Sequence, residues 1–271
     1  MVDAPLANQG AAHAGPRRIG GVPQRVVITA LSVAAFFALW LFGTYTIGPR
    51  LCPSPLAVFD FMVSETRSGD LPYHLGVTLA RVGAAFVLAM TIGTAVGLMM
   101  GRAKLANTIL EPWLIFLLNA PALIVIVLAY IWIGLTETAA ILAVAINKIP
   151  NVTVTVREGA RAMDPAYMEM ARVYRFSRGK VLRHVMLPQL QPYVAAAARS
   201  GIALIWKIVL VVELLGRSNG VGFQIHLYFQ MFDVRAILGY TLAFVAIMLV
   251  VEFLIIQPLE AHANRWRPKP A

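Results

Sequence analysis

The chain has 271 residues, of which 59% are hydrophobic and 13% charged, with a formal net charge of +10. An ordinary soluble domain carries about 45–50% apolar and about 25% charged residues, so this is the composition of a membrane protein rather than of a soluble enzyme. The single cysteine, Cys52, excludes an intrachain disulfide, and five scattered histidines, at 13, 74, 184, 226 and 262, offer no metal-ligand spacing.

Residues 1–25 are rich in Ala, Gly and Pro and lack the apolar core of a signal peptide, so they are expected to form a disordered, retained tail. Apolar stretches follow near 26–47, 76–100, 113–133, 138–156, 189–212 and 236–257. Each is within or near the roughly 17–25 residues that cross a bilayer as a helix. The alternating segments of about ten residues that a membrane barrel needs do not occur. The fold class is therefore all-α, a polytopic membrane protein with six spans, and 258–271 form a second tail. The fourth span is interrupted by Asn147, Lys148 and Pro150, and the fifth carries Arg199 and Lys207.

Between spans 1 and 2, Pro and Gly clusters bracket a short amphipathic piece, Leu56 to Val63, suited to lie along the outer surface. Span 2 places Gly93, Gly97 and Gly101 four residues apart on one helix face, where another helix can approach closely. That helix could belong to this subunit or to a neighbouring one. A short inner loop, "GRAKLANTILEP", leads to span 3.

The inner segment 157–187 is the longest inner connection and is not loop-like. Asp164 followed by Pro165 is an N-cap with proline at the first helical position. Tyr167, Met170, Ala171 and Tyr174 then recur at helical spacing, opposite a basic face. Gly179 marks a break, "KVLRHVMLP" begins a second helical stretch, and Pro188 opens span 5. Such a helix can lie on anionic lipid, dock in a partner's groove, or stand as a solvated basic loop.

With the N-terminus inside, fifteen of the 23 Lys and Arg residues fall on inner segments. Four, Arg50, Arg67, Arg217 and Arg235, fall on outer ones, and Arg81, Lys148, Arg199 and Lys207 lie within spans. This split follows the positive-inside rule and puts both termini in the cytoplasm. The basicity is thus mostly topology, and nucleic acid is not needed to explain it.

No G-x-x-x-x-G-K-[ST] loop is present and no nucleophile–base or paired-carboxylate arrangement stands out, so the chain has no catalytic residues of its own to nominate. A charged residue at a helix centre costs about 2.5–3.5 kcal/mol on insertion scales, which marks Lys148, Arg199 and Lys207 as facing an interior, a cavity or a partner. Lys207 could pair with Glu213, and Lys148 could snorkel or fill a polar break beside Pro150; either could instead contact an anionic substrate. Asn119, beside Pro121, and Asn147 are further candidates for a translocation path, whereas Trp206 and Tyr130 read as packing aromatics.

The 157–187 segment resembles the cytoplasmic signature of permease subunits of bacterial ATP-binding-cassette importers. That signature reads Glu-Ala-Ala, three residues, Gly, nine residues, Ile-x-Leu-Pro. Glu169, Met170 and Ala171 stand at its first element, and Val185, Met186, Leu187 and Pro188 at its last. Ala171, Arg172 and Ser177, with "VVELLGRSNGVGF" downstream, resemble the branch that includes nitrate, sulfonate, taurine and bicarbonate permeases. The likeness extends over roughly 75–271, through "TLARV", Ala120-Pro121, "IWIGLTET" and a terminal "RW". The family's glycine is replaced by Arg175, so the turn it would make is expected to pass to Gly179.

The resemblance implies a fold like that of type I importers of this class, in a bacterial inner membrane. Two separate ATPase subunits would bind ATP and Mg, a second permease copy would complete the path, and an extracytoplasmic binding protein would deliver a small, anionic solute to an outer mouth formed near Glu213. It also implies that the loop helix enters a cleft on the ATPase. Tyr167, Met170, Ala171 and Tyr174 would pack there, with Glu169 and Arg172 making polar contacts. Two other classes compete: an ion-driven carrier or channel using Lys148, Arg199, Lys207 and Glu213 as relay or gating groups, and a non-transporting scaffold whose loop binds lipid or a regulator.

Overall fold

The structure, a computed structural model, describes residues 18–19 and 22–258. Of the tails expected at 1–25 and 258–271, positions 1–17, 20–21 and 259–271 lie outside the described residues. A two-residue antiparallel pairing, Arg18–Ile19 with Val22–Pro23, precedes α1 (Gln24–Ile47). The chain divides into two compact units at Ala57 and Val58. In the first, α1 is apolar around its circumference and its side chains are mostly exposed, the pattern of a helix solvated by lipid. The Trp40 indole N–H donates to the Pro53 carbonyl at 2.9 Å, which folds the following turn back along the helix.

α2 (Pro55–Ser68) is longer than the amphipathic piece read from the sequence. In the second unit its Phe61 and Met62 pack with Tyr240 and Phe244, and Tyr240 Oη donates to Glu65 at 2.9 Å. α3 (Asp70–Arg102) runs against α6 (Glu137–Arg161) along the glycine face. Cβ atoms at Gly93, Gly97 and Gly101 would lie 2.6 Å from Val152 Cβ, 2.7 Å from the Thr153 carbonyl oxygen and 2.5 Å from Ala160 Cβ. The glycines thus serve packing within the subunit, the first of the two alternatives.

α4 (Lys104–Asn119) begins after the single residue Ala103, so most of "GRAKLANTILEP" is helix rather than loop. The third span is not one helix. α4 and α5 (Ala122–Ile133) meet at 99°, because Ala120 and Pro121 are extended and proline disfavours helix at the residue before it. Among the described residues, five helices are long and apolar enough to cross a membrane, and the count is six if this bent pair is one span.

α7 (Pro165–Val173), α8 (Arg178–Val181) and a π-helical turn (Leu182–Met186) lead directly into α9 (Leu187–Gly216). The second loop helix and the fifth span are therefore continuous. α10 (Val221–Gln230) and α11 (Val234–Val251), extended by a π turn to Ile256, complete the described chain. Besides the cluster around Tyr240 and Phe244, two buried clusters form the core of the described residues: Ala85, Ile126, Ala140, Val144 and Ile205 between α3, α5, α6 and α9, and Val152, Val156, Leu190 and Ala197 nearer α7.

Candidate functional site

α7 starts where the sequence places it. The Asp164 carboxylate accepts the Ala166 N–H at 2.8 Å, Pro165 occupies the first turn, and the Asp164 N–H donates to the Gln189 side-chain oxygen at 3.0 Å. The last contact ties the start of α7 to α9. Ala171 is turned into the chain at 2% exposure, while Tyr167, Met170 and Tyr174 lie open. Of the four apolar positions, three are thus presented outward. Glu169 and Arg172 are also exposed.

The turn after α7 is made by Arg175 itself, not by Gly179. Arg175 has φ +49, whereas Gly179 lies inside α8 and is not among the positive-φ glycines. The Phe176 N–H donates to the Ala171 carbonyl at 2.9 Å and the Arg175 N–H to the Arg172 carbonyl at 3.0 Å. This is the paired closure of a Schellman stop with arginine where glycine is usual. A left-handed L-residue costs roughly 1–2 kcal/mol, so Arg175→Gly should stabilise this turn by about 1 kcal/mol. Slower hydrogen exchange at the Phe176 amide is the expected readout.

A second polar constellation lies at the opposite end of the bundle, and its centre, Arg81 on α3, was not singled out by sequence reasoning as a functional candidate. Arg81 is 4% exposed and Glu213 on α9 is 0% exposed. Nη1 of Arg81 donates to Glu213 at 2.7 Å and to the Asn219 carbonyl at 2.8 Å. Nε and Nη2 grip Glu137 of α6 at 2.8 and 2.6 Å, and Nη2 also reaches the Asn219 side chain. Glu213 accepts further bonds from Thr78 Oγ1 at 2.9 Å and from the Gly222 N–H at 2.8 Å. Arg217 adds a bond to Glu137 and one to the Leu135 carbonyl.

Glycines explain why the backbone can come so close to a carboxylate. Gly220 has φ +105, and a Cβ there would press on Glu213 Oε1 at 2.5 Å; at Gly222 it would lie 2.8 Å from Glu213 Cβ. The "GRSNGVG" run is thus a wrapper around Glu213 and not a phosphate loop. The Gly220 N–H also donates to His74 Nδ1 at 3.0 Å, and the side-chain amide of Gln224 lies 2.6 Å from His74 Nε2 on the other edge of the ring.

The six path candidates do not converge. Glu213 is taken by Arg81, not by Lys207; six residues apart on one helix, Lys207 and Glu213 do not share a face. Lys207 is exposed, with Nζ 5.5 Å from the centroid of the Trp206 ring. Arg199 is paired with Glu252 at 3.6 Å. Asn119 donates to the Ile115 carbonyl at the α4 end and Asn147 to the Ala143 carbonyl within α6, each at 2.8 Å. Lys148, by contrast, is 2% exposed.

The family model described as "Binding-protein-dependent transport system inner membrane component" matches residues 89–267. The Bacillus subtilis (strain 168) permease named for aliphatic sulfonates transport, SsuC, is 29% identical over 71% of this chain and 70% of its own length. The taurine transport system permease protein TauC of Escherichia coli K12 is 24% identical over 90% of each chain. The bicarbonate transport system permease protein CmpB of Synechococcus elongatus is 26% identical over 74% of this chain and 76% of its own. Among solved structures, a subunit of an amino acid ABC transporter superposes with TM-score 0.60 at 19% identity, covering 74% of this chain and 98% of that one.

Proposed function

The chain belongs to the family of inner membrane components of binding-protein-dependent transport systems, and from that premise we propose that it carries a small anionic solute inward, driven by separate ATPase subunits. The single observation that carries the coupling role is α7. It is capped at both ends and tied to α9 through Asp164 and Gln189, and it presents Tyr167, Met170 and Tyr174 outward beside Glu169 and Arg172. An exposed amphipathic helix of this kind fits a groove on a partner, and its connections to α6 and α9 make it a lever on both.

In this reading two ATPase subunits bind ATP and Mg, a second copy of this chain completes the path, and an extracytoplasmic binding protein delivers the solute. Both termini and α7 face the cytoplasm, as the distribution of Lys and Arg supports. The solute class follows from relatives named for sulfonates, taurine and bicarbonate, all small and carrying an anionic group.

Glu169→Lys and Met170→Asp should each abolish solute uptake by the assembled transporter while ATP hydrolysis continues, because these side chains lie on the face that grips and not in a core. Uptake and ATPase activity are measured together in proteoliposomes at matched amounts of inserted protein. Normal uptake by both variants would refute the coupling role of α7.

A further inference from the structure

Lys148 is the twelfth residue of α6, whose 25 residues run from Glu137 to Arg161. At 1.5 Å per residue its Cα lies about 16–20 Å from either helix end, near the middle of a bilayer core. It is 2% exposed, and among the described residues no hydrogen bond or ion pair holds its ammonium group. The other basic side chains within the spans are provided for: Arg81 by two carboxylates, Arg199 by Glu252, Lys207 by exposure and the Trp206 ring.

The surroundings make room for this side chain. Gly201 of α9 stands opposite, and a Cβ there would lie 3.2 Å from Lys148 Cε and 3.6 Å from the Phe86 ring of α3. An ammonium on a residue this buried, with no acceptor, gives up hydration that an apolar side chain of similar length would not. Packing alone therefore does not account for a lysine here.

Its position between helices is equally specific. α6 and α9 are the two helices that α7 joins, and at their far ends they are clamped through Arg81, Glu137 and Glu213. A stroke delivered at α7 acts on the α6–α9 contact between clamp and lever, which is where Lys148 meets Gly201.

We propose that Lys148 is the intramembrane contact for the anionic group of the solute, closed between α6, α9 and α3 in this conformation and uncovered when α7 moves α6 against α9. The proposal rests on the importer reading above. The lysine supplies at mid-membrane the positive charge that a dehydrated sulfonate or carboxylate group needs.

Cys52 is the only native cysteine, so Lys148→Cys in a Cys52→Ser background can be followed on this chain alone. The complex with its ATPase and binding protein is assembled in proteoliposomes and treated with aminoethyl methanethiosulfonate, which rebuilds an ammonium, or with the methyl reagent, which does not. Ethanesulfonate, taurine and bicarbonate are the probes of uptake. Labelling should be slow without nucleotide and fast during turnover. Uptake should be lost in Lys148→Cys and Lys148→Met, restored by the aminoethyl reagent and not by the methyl one, and retained in part by Lys148→Arg, while ATP hydrolysis persists. Wild-type uptake by Lys148→Met, equal rescue by both reagents, or a cysteine closed in every state would overturn the assignment of Lys148 alone. Lys148→Cys labelling that speeds up during turnover, together with a wild-type complex that moves none of the three anions, would overturn the solute class, and the assignment with it.

Discussion

Replacing Arg81 by Met should destabilise the chain by about 3–5 kcal/mol, the range for leaving one member of a buried ion pair without its partner. Glu213 would keep Thr78 and the Gly222 N–H but face apolar groups where the guanidinium stood, at 0% exposure. Glu137 would lose two bonds and retain Arg217. Glu213→Gln should cost less, because its amide oxygen can still accept from Thr78 and Gly222 and Arg81 keeps Glu137. The double variant Arg81→Met with Glu213→Met should recover part of the loss, since a buried pair replaced by apolar groups removes both desolvation penalties. Thermal unfolding of the detergent-purified chain gives the coupling from the double-mutant cycle. An Arg81→Met variant that melts with the wild type would show that the cluster is not holding α3, α6 and α9 together.

The reason this cluster escaped the sequence is physical. Hydropathy scores a charge inside a span as a cost but carries no information on what offsets it. Arg81 bonds Glu137 and Glu213, which are 56 and 132 positions away, so no local period relates them. Lys207 was a cation within the same span as Glu213, yet helix geometry keeps the two on different faces. A usable signal was present: opposite charges near the corresponding ends of two spans, with a glycine-rich run following the acid.

What was legible follows from repeated local features. The apolar stretches located the spans because the bilayer imposes a length, and Asp164-Pro165 located the start of α7 because its first amides need an acceptor. Sequence averaging failed at backbone breaks. The stretch 113–133 reads as continuous hydropathy, while two extended residues, Ala120 and Pro121, turn it through 99°. Arg175 failed in the opposite way: composition assigned the turn to the nearest glycine, but the two Schellman hydrogen bonds fix its position relative to α7, whatever residue stands there. The loop has kept the geometry associated with the missing glycine and carries the strain of an arginine in its place.

Gly97→Leu should have the other large effect on the fold. A Cβ at Gly97 would sit 2.7 Å from the Thr153 carbonyl oxygen, 2.9 Å from Val156 Cβ and 3.1 Å from the Arg157 backbone nitrogen. Two of these three atoms are backbone of a regular helix, so no side-chain rotation relieves the clash, and α3 must move away from α6. Overpacking of this kind costs about 1–3 kcal/mol and more where the neighbours are rigid. Gly83, on the same helix but with no atom within 4 Å of a Cβ, is the matched control: Gly83→Leu should be tolerated. The displacement would also reach function, because α6 carries both Lys148 and the connection to α7. Comparing melting temperature and solute uptake for the two variants separates these effects. If Gly97→Leu retained wild-type melting, the glycine face would not be the seam between α3 and α6; if it lost stability but kept full uptake, the spacing of α3 and α6 would not matter for transport.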